Sequence, residues 1–345
     1  MLQGAEINKS KHMKKIEIID FLKGYSIFTI VIFHYLLTLN LPGPYNKLIY
    51  FGGTGVHLFI VLSGIGLYLS YLNRPEKYPA FIKKRFSKVY IPYILVVLIT
   101  AAIVVFYPVI EGSSWYALGG HIFLYKMFDE KIVGSYGYPL WFVSMIFQFY
   151  FTFYGIIFFK KKINNDKIFL GLSLAISLGW ALLIAATGKE SLRVWNSFFL
   201  QYLWEFALGM VIASFIYKRP EYKPEIKSIY ILIFGIVCCG LYGGLVLMFG
   251  EMGKLFNDVP ALFGYSAIAI WVYKLKAGVI NKFFLFTGKI SYPLYLVHSI
   301  ILSIAGAIFT SLPGPALLII ALCFSYVTSF YYQIVINRLY KILKI

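Results

Sequence analysis

The chain has 345 residues, 60% hydrophobic and 19% aromatic, with only 13% charged and a formal net charge of +18. A soluble domain carries about 25% charged residues, so the composition excludes an ordinary soluble enzyme. It also excludes a nucleic-acid partner, because the positive charge is that of a polytopic membrane protein whose lysines and arginines sit in loops.

Ten membrane spans are expected, at 18–39, 50–72, 90–110, 138–159, 168–187, 195–217, 228–250, 259–274, 283–306 and 315–337. Residues 1–17 read as a solvated cytoplasmic tail with Met13 as an alternative start, and 341–345 as a cytoplasmic end. The loops are short and no soluble domain is expected. Lys and Arg test the count: 24 fall in the tail, the end and alternate loops, and 6 in the other loops. Such asymmetry orients the chain with both termini cytoplasmic and an even number of spans. The expected location is the plasma membrane of a bacterial cell. Cys238, Cys239 and Cys323 lie in apolar runs, where thiols act as packing residues.

The first span, IIDFLKGYSIFTIVIFHYLLTL, is too long and too polar on one face for a cleaved signal peptide. It carries Asp20, Lys23 and His34. Ionisable groups within a membrane helix are costly, so each is a functional candidate. At helical spacing Asp20, Lys23, Gly24, Val31 and His34 fall along one face, and the rise from Asp20 to His34 is about 21 Å. The two therefore mark different depths on one wall of a cavity.

In the second span Gly53, His57, Val61 and Gly64 recur at helical spacing, with Ser63 close by. Small residues there permit close helix approach. FIKKRFSKVYIPY, residues 81–93, is a basic amphipathic segment at the cytoplasmic interface. It suits either anionic membrane lipids or a phosphorylated ligand held by Lys84, Arg85 and Lys88. The fourth span places Trp141, Ser144, Met145 and Gln148 on one side. The sixth holds Glu205, apart from Asp20 the one acid well inside an expected span. The ninth aligns Ser291, Tyr295 and His298. Three histidines at similar depth on three helices are candidates for catalysis, since histidine is the usual general base near neutral pH. Each could instead bond a neighbouring helix, and Glu205 could be a structural acid. Three histidines could also suggest zinc, but no HxxxH or CxxC pair is present, and no metal is expected. The fold read from these elements is all-α, about ten helices around a polar intramembrane cavity, within a unit spanning 18–340.

Five segments resemble the membrane-bound acyltransferase-3 family, in order and across nearly the whole chain. DFLKG with His34 fourteen residues after Asp20 is similar to the family's DxLRG opening, with Lys23 in place of arginine. GVHLFIVLSG, from Gly55 to Gly64, resembles GVxLFFVLSG. Arg85, Phe86, Ser87 and Lys88 before Pro92 resemble the RxxR element. EFALG at Glu205 to Gly209 and SYPLYLVH at Ser291 to His298 resemble EFxLG and SYxLYLxH. The fourth span departs from the WSLAVEEQFY of some members, with Ile146 and Phe147 in place of two acids. Lys23 and Lys88 keep charge but lose the guanidinium fork.

The resemblance implies O-acylation of an extracytoplasmic or lipid-linked carbohydrate by a cytoplasmic acyl-CoA, acetyl-CoA first among them. Lys84, Arg85 and Lys88 would hold the CoA phosphates, and His34, with His57, would act near the outer side. Asp20, Lys23, Ser63, Gln148, Glu205, Ser291, Tyr295 and His298 would support the cavity. His34 as general base and an acyl-histidine intermediate are equally compatible with the residues. So are acetyl, succinyl and longer acyl groups. A transporter or flippase of a glycan or small anion is the rival reading of ten helices with internal charges.

Overall fold

The apolar runs fold almost entirely as α-helix in the computed structural model, and the described residues contain no strand. The structure describes residues 16–344 apart from 44, 46–48, 108, 109, 111, 223 and 224. Residues 1–15 of the expected tail, with Lys9, Lys11, Lys14, Lys15 and Met13, lie outside the described residues, as do Lys47 and Lys223.

The helices are α1 Glu17–Leu37, α2 Gly55–Asn73, α3 Tyr78–Arg85, α4 Ile91–Phe106, α5 Trp115–Ile122, α6 Trp141–Ile163 and α7 Asp166–Ala186. Then follow α8 Leu203–Lys218, α9 Ser228–Leu255, α10 Asp258–Lys274, α11 Gly278–Lys289, α12 Ser291–Ile308 and α13 Gly314–Leu343. Among the described residues, eight helical runs are long and apolar enough to cross a membrane. The sixth and eighth expected spans correspond to α8 and α10, only 16 and 17 residues long. Crossing a bilayer takes about 20 residues, and these two are packed among their neighbours, α8 on α2 and α7, α10 on α9 and α2. Leu172, Ile176, Leu182, Ile233, Ile236 and Leu241 of α7 and α9 face outward. A chain that exposes its leucines and isoleucines along whole helices is solvated by lipid; this is a multi-pass membrane protein.

Three expectations need correction. The loop after the third span is not short: between 107 and 140 the chain builds α5 and several tight helical turns, with His121 and Lys126 fully buried. The ninth span does not run unbroken from 283. The helix stops at Lys289, and α12 starts at Ser291. The preceding helix α11 is amphipathic and packs on α1. The sixth begins at Leu203, because residues 197–202 make tight turns around Gln201.

Two close helix approaches set the frame. Gly64 on α2 lies against the Phe206 carbonyl and 3.3 Å, measured from where a Cβ would be, from the Cα of Gly209 on α8. Gly24 on α1 lies against the backbone of Phe284 and Gly288 on α11. With no Cβ, backbones meet directly and dispersion contacts replace the hydrophobic drive that lipid removes.

The basic segment bends between α3 and α4. Pro92 has no N–H for the carbonyl of Lys88, and Phe86–Tyr90 widens into a π-turn in which Ile91 N–H reaches back to Phe86. Tyrosine hydroxyls take up the carbonyls there: Tyr340 donates to Lys88 at 3.1 Å, Tyr292 to Val89 at 2.6 Å and Tyr332 to Pro92 at 2.6 Å. Lys88 is thereby displayed on a backbone pinned from α12 and α13.

Candidate active site

A cavity of about 690 Å³ runs through the helix bundle. Lys23, Lys88 and Ser291 line it at one end; Arg193, Glu190 and Lys254 line it from the loops and helix ends opposite. His34, His57, Ser63, Trp141 and Tyr295 line it between.

On α1 the wall is formed by Lys23, Ile30, Phe33, His34 and Leu37, spacings that keep them along one side of the helix. The expected face is therefore divided. Asp20 and Gly24 lie against Gly288 of α11, and Val31 is buried in a second apolar cluster; only Lys23 and His34 of the five reach the cavity. Helical spacing places residues on a face within a window wide enough for two neighbours.

His34 Nδ1 lies 3.0 Å from Nε2 of His298. His298 is fully buried, and its own Nδ1 faces the carbonyls of Tyr295 at 2.8 Å and Leu294 at 3.2 Å. Carbonyls only accept, so Nδ1 of His298 carries a hydrogen, and with a neutral ring its Nε2 is an acceptor. His34 then donates from Nδ1 and keeps Nε2 unprotonated. Tyr35, one residue on, fixes this corner by bonding Ser325 Oγ at 2.6 Å and the His298 carbonyl at 3.1 Å. Tyr295, on the same face of α12, bonds the carbonyl of Pro139 and closes the adjacent wall.

His57 meets a different partner. Its Nδ1 lies 2.6 Å from Oε1 of Glu205, which is fully buried. The Gly64–Gly209 contact lies one to two turns away on the same two helices and sets this approach. Asp258, in the first turn of α10, has Oδ1 4.0 Å from His57 Nε2, and Gln201 donates to its Oδ2 at 2.7 Å. Asp258 was not among the expected residues. It stands one position before the expected eighth span, in what reads as loop; the one signal for it in the sequence is an acid at the edge of a short apolar run.

The basic trio separates. Lys88 lines the cavity. Lys84 is paired with Glu76 at 2.8 Å, and this ammonium holds the Glu76 carboxyl below its usual range. Arg85 lies over the Phe81 ring at 5.3 Å. Neither Lys84 nor Arg85 lines the cavity; in a regular helix both would share a face with Lys88, and the π-turn at Phe86–Tyr90 shifts the register between them. Gln148 also departs from the expected wall: its Oε1 accepts from Phe199 N–H at 3.1 Å and supports the turn before α8. Ser63 lines the cavity, its hydroxyl returned to the Phe59 carbonyl at 2.8 Å.

At the far end Arg193 lies 5.1 Å over the Trp141 ring and donates to Tyr138 Oη at 2.8 Å and Ser197 Oγ at 3.0 Å. Glu130 caps the four-residue helix Arg193–Asn196 that carries it, accepting from the N–H groups of Arg193 and Val194 at 3.0 and 2.9 Å. A cation held by neutral partners, an aromatic surface and a histidine with an open nitrogen thus share one cavity.

No curated protein and no solved structure matches the chain. The family model described as an acyltransferase domain, that of acyltransferase-3, matches residues 16–333. With its membrane-crossing helices, the chain belongs to the acyltransferase-3 family and is a membrane acyltransferase.

Proposed function

We propose that the protein is an O-acyltransferase that moves an acyl group, acetyl in the simplest case, from cytoplasmic acyl-CoA to a hydroxyl of an extracytoplasmic or lipid-linked carbohydrate. The observation that carries this is the His34–His298 pair: a buried ring that can only accept from His34 leaves His34 with a basic nitrogen in the cavity. Lys23 and Lys88 at one end suit the phosphates of a CoA donor. Trp141, Arg193 and Asn196 at the other suit a polar ring compound.

His34 Nε2 takes the acceptor's hydroxyl proton as that oxygen attacks the thioester carbonyl. The tetrahedral adduct collapses with cleavage of the C–S bond, the thiolate leaves, and the imidazolium returns the proton to sulfur. A new C–O bond replaces the C–S bond, with no net gain or loss of protons. His57 faces the same cavity from α2 and bounds the acceptor side.

The test is acyl transfer in membranes from cells making the intact protein or His34→Ala, supplied with radiolabelled acetyl-CoA. Label in total glycan that disappears in a variant still monodisperse in detergent supports the reading. Equal label with both removes His34 from the chemistry. Movement of glycan across the membrane without acyl-CoA would favour the transporter.

A further inference from the structure

His57, Glu205 and Asp258 come from three helices, α2, α8 and α10, and no sequence spacing links them. One donor atom from each lies within 4.8 Å of the other two. Two ionised carboxylates against one imidazole would leave negative charge inside a membrane protein, which a proton or a cation has to compensate. Glu205 is 0% exposed, and its Oε2 has no hydrogen-bond partner among the described residues. An orphan carboxylate oxygen at full burial is an acceptor waiting for a ligand.

The surroundings have the features of a metal centre. Gln201 donates to Asp258 Oδ2 at 2.7 Å, the outer support that orients a ligating carboxylate. Gln201 is 4% exposed and its Oε1 is also without a hydrogen-bond partner among the described residues. His57 and Asp258 line the cavity, which supplies an access route and an open coordination position.

We propose that His57, Glu205 and Asp258 bind one divalent cation of the borderline class that accepts mixed imidazole and carboxylate ligands, such as Zn²⁺ or Mn²⁺. Four-atom closure would come from a water or a substrate oxygen in the cavity. The proposal is independent of acyl transfer, since binding alone tests it.

The full chain, purified in detergent and treated with chelator, is titrated with Mn²⁺ while free Mn²⁺ is followed by electron paramagnetic resonance. One Mn²⁺ per chain, displaced by Zn²⁺ and weakened at least tenfold in Glu205→Gln and in Asp258→Asn, is expected. Glu190→Gln, which alters a cavity carboxylate outside the cluster, retains binding. No saturable binding of either ion overturns the proposal, as does binding unchanged in the Glu205→Gln/Asp258→Asn double variant. Should those variants not fold, the unfolding midpoint decides. A Zn²⁺-dependent rise in the intact protein that is lost in His57→Gln supports the site, and an intact protein whose midpoint does not move refutes it.

Discussion

Gly64→Ala and Gly66→Ala change two positions of α2 two residues apart, yet their effects should have opposite sign. A Cβ at Gly66 meets nothing within 4 Å. At Gly64 it would press roughly 1 Å inside van der Waals contact with the Phe206 carbonyl. Alanine is favoured over glycine inside a helix by about 0.5–1 kcal/mol, so Gly66→Ala should stabilise by that amount. Gly64→Ala receives the same gain and loses about 1–3 kcal/mol to overpacking. The difference between the two variants is that overpacking cost. To relieve it α2 and α8 must part by roughly 1 Å, which would carry the 2.6 Å His57–Glu205 contact beyond hydrogen-bond range. The assay is the thermal midpoint of detergent-purified protein, with Gly66→Ala above the parent and Gly64→Ala below it. A Gly64→Ala protein as stable as Gly66→Ala would refute the claim that direct backbone contact between α2 and α8 builds this part of the site.

His298→Phe keeps bulk but removes the acceptor for His34, and kcat should fall by roughly 10²–10⁴ with little change in donor KM; an unchanged kcat would sever His298 from the chemistry. Lys88→Ala should raise donor KM by about ten- to a hundredfold, the worth of a charge-assisted bond. Lys84→Ala should stay within about twofold, since it pairs with the half-buried Glu76 and does not line the cavity; equal effects of the two would contradict their separation. Lys126 is 0% exposed in the 107–140 segment, its Nζ bonded to the carbonyls of Ser135 at 2.9 Å and Gly137 at 3.3 Å. Burial pushes its pKa from 10.5 down to about 7. The unfolded chain therefore takes up that proton first, and stability should drop as pH falls from 10.5 to about 7 and level off below. Lys126→Met should flatten that slope in thermal midpoints measured against pH, and a slope unchanged by the substitution would assign it to other groups.

The apolar runs and the loop lysines alone determined an all-helical membrane protein and its approximate span count, because the cost of leaving peptide groups unbonded in lipid admits few alternatives. They also singled out His34, His57, Glu205 and His298, since a polar residue within such a run needs a reason to be there. Boundaries were less legible where a break is made by packing: nothing in the apolar pattern marks the interruption at Ile290, which follows the approach of Gly288 to α1. Only the tertiary structure decided the partnerships. His34 pairs with His298 across 264 residues and His57 with Glu205 across 148, while Asp258 joins from a helix end. Helical period fixes which side chains share a face of one helix, but which faces meet depends on where glycine lets two backbones touch. The π-turn at Phe86–Tyr90 leaves Lys84 on Glu76 and Lys88 in the cavity, a separation that their spacing of four residues, one face of a regular helix, does not reveal.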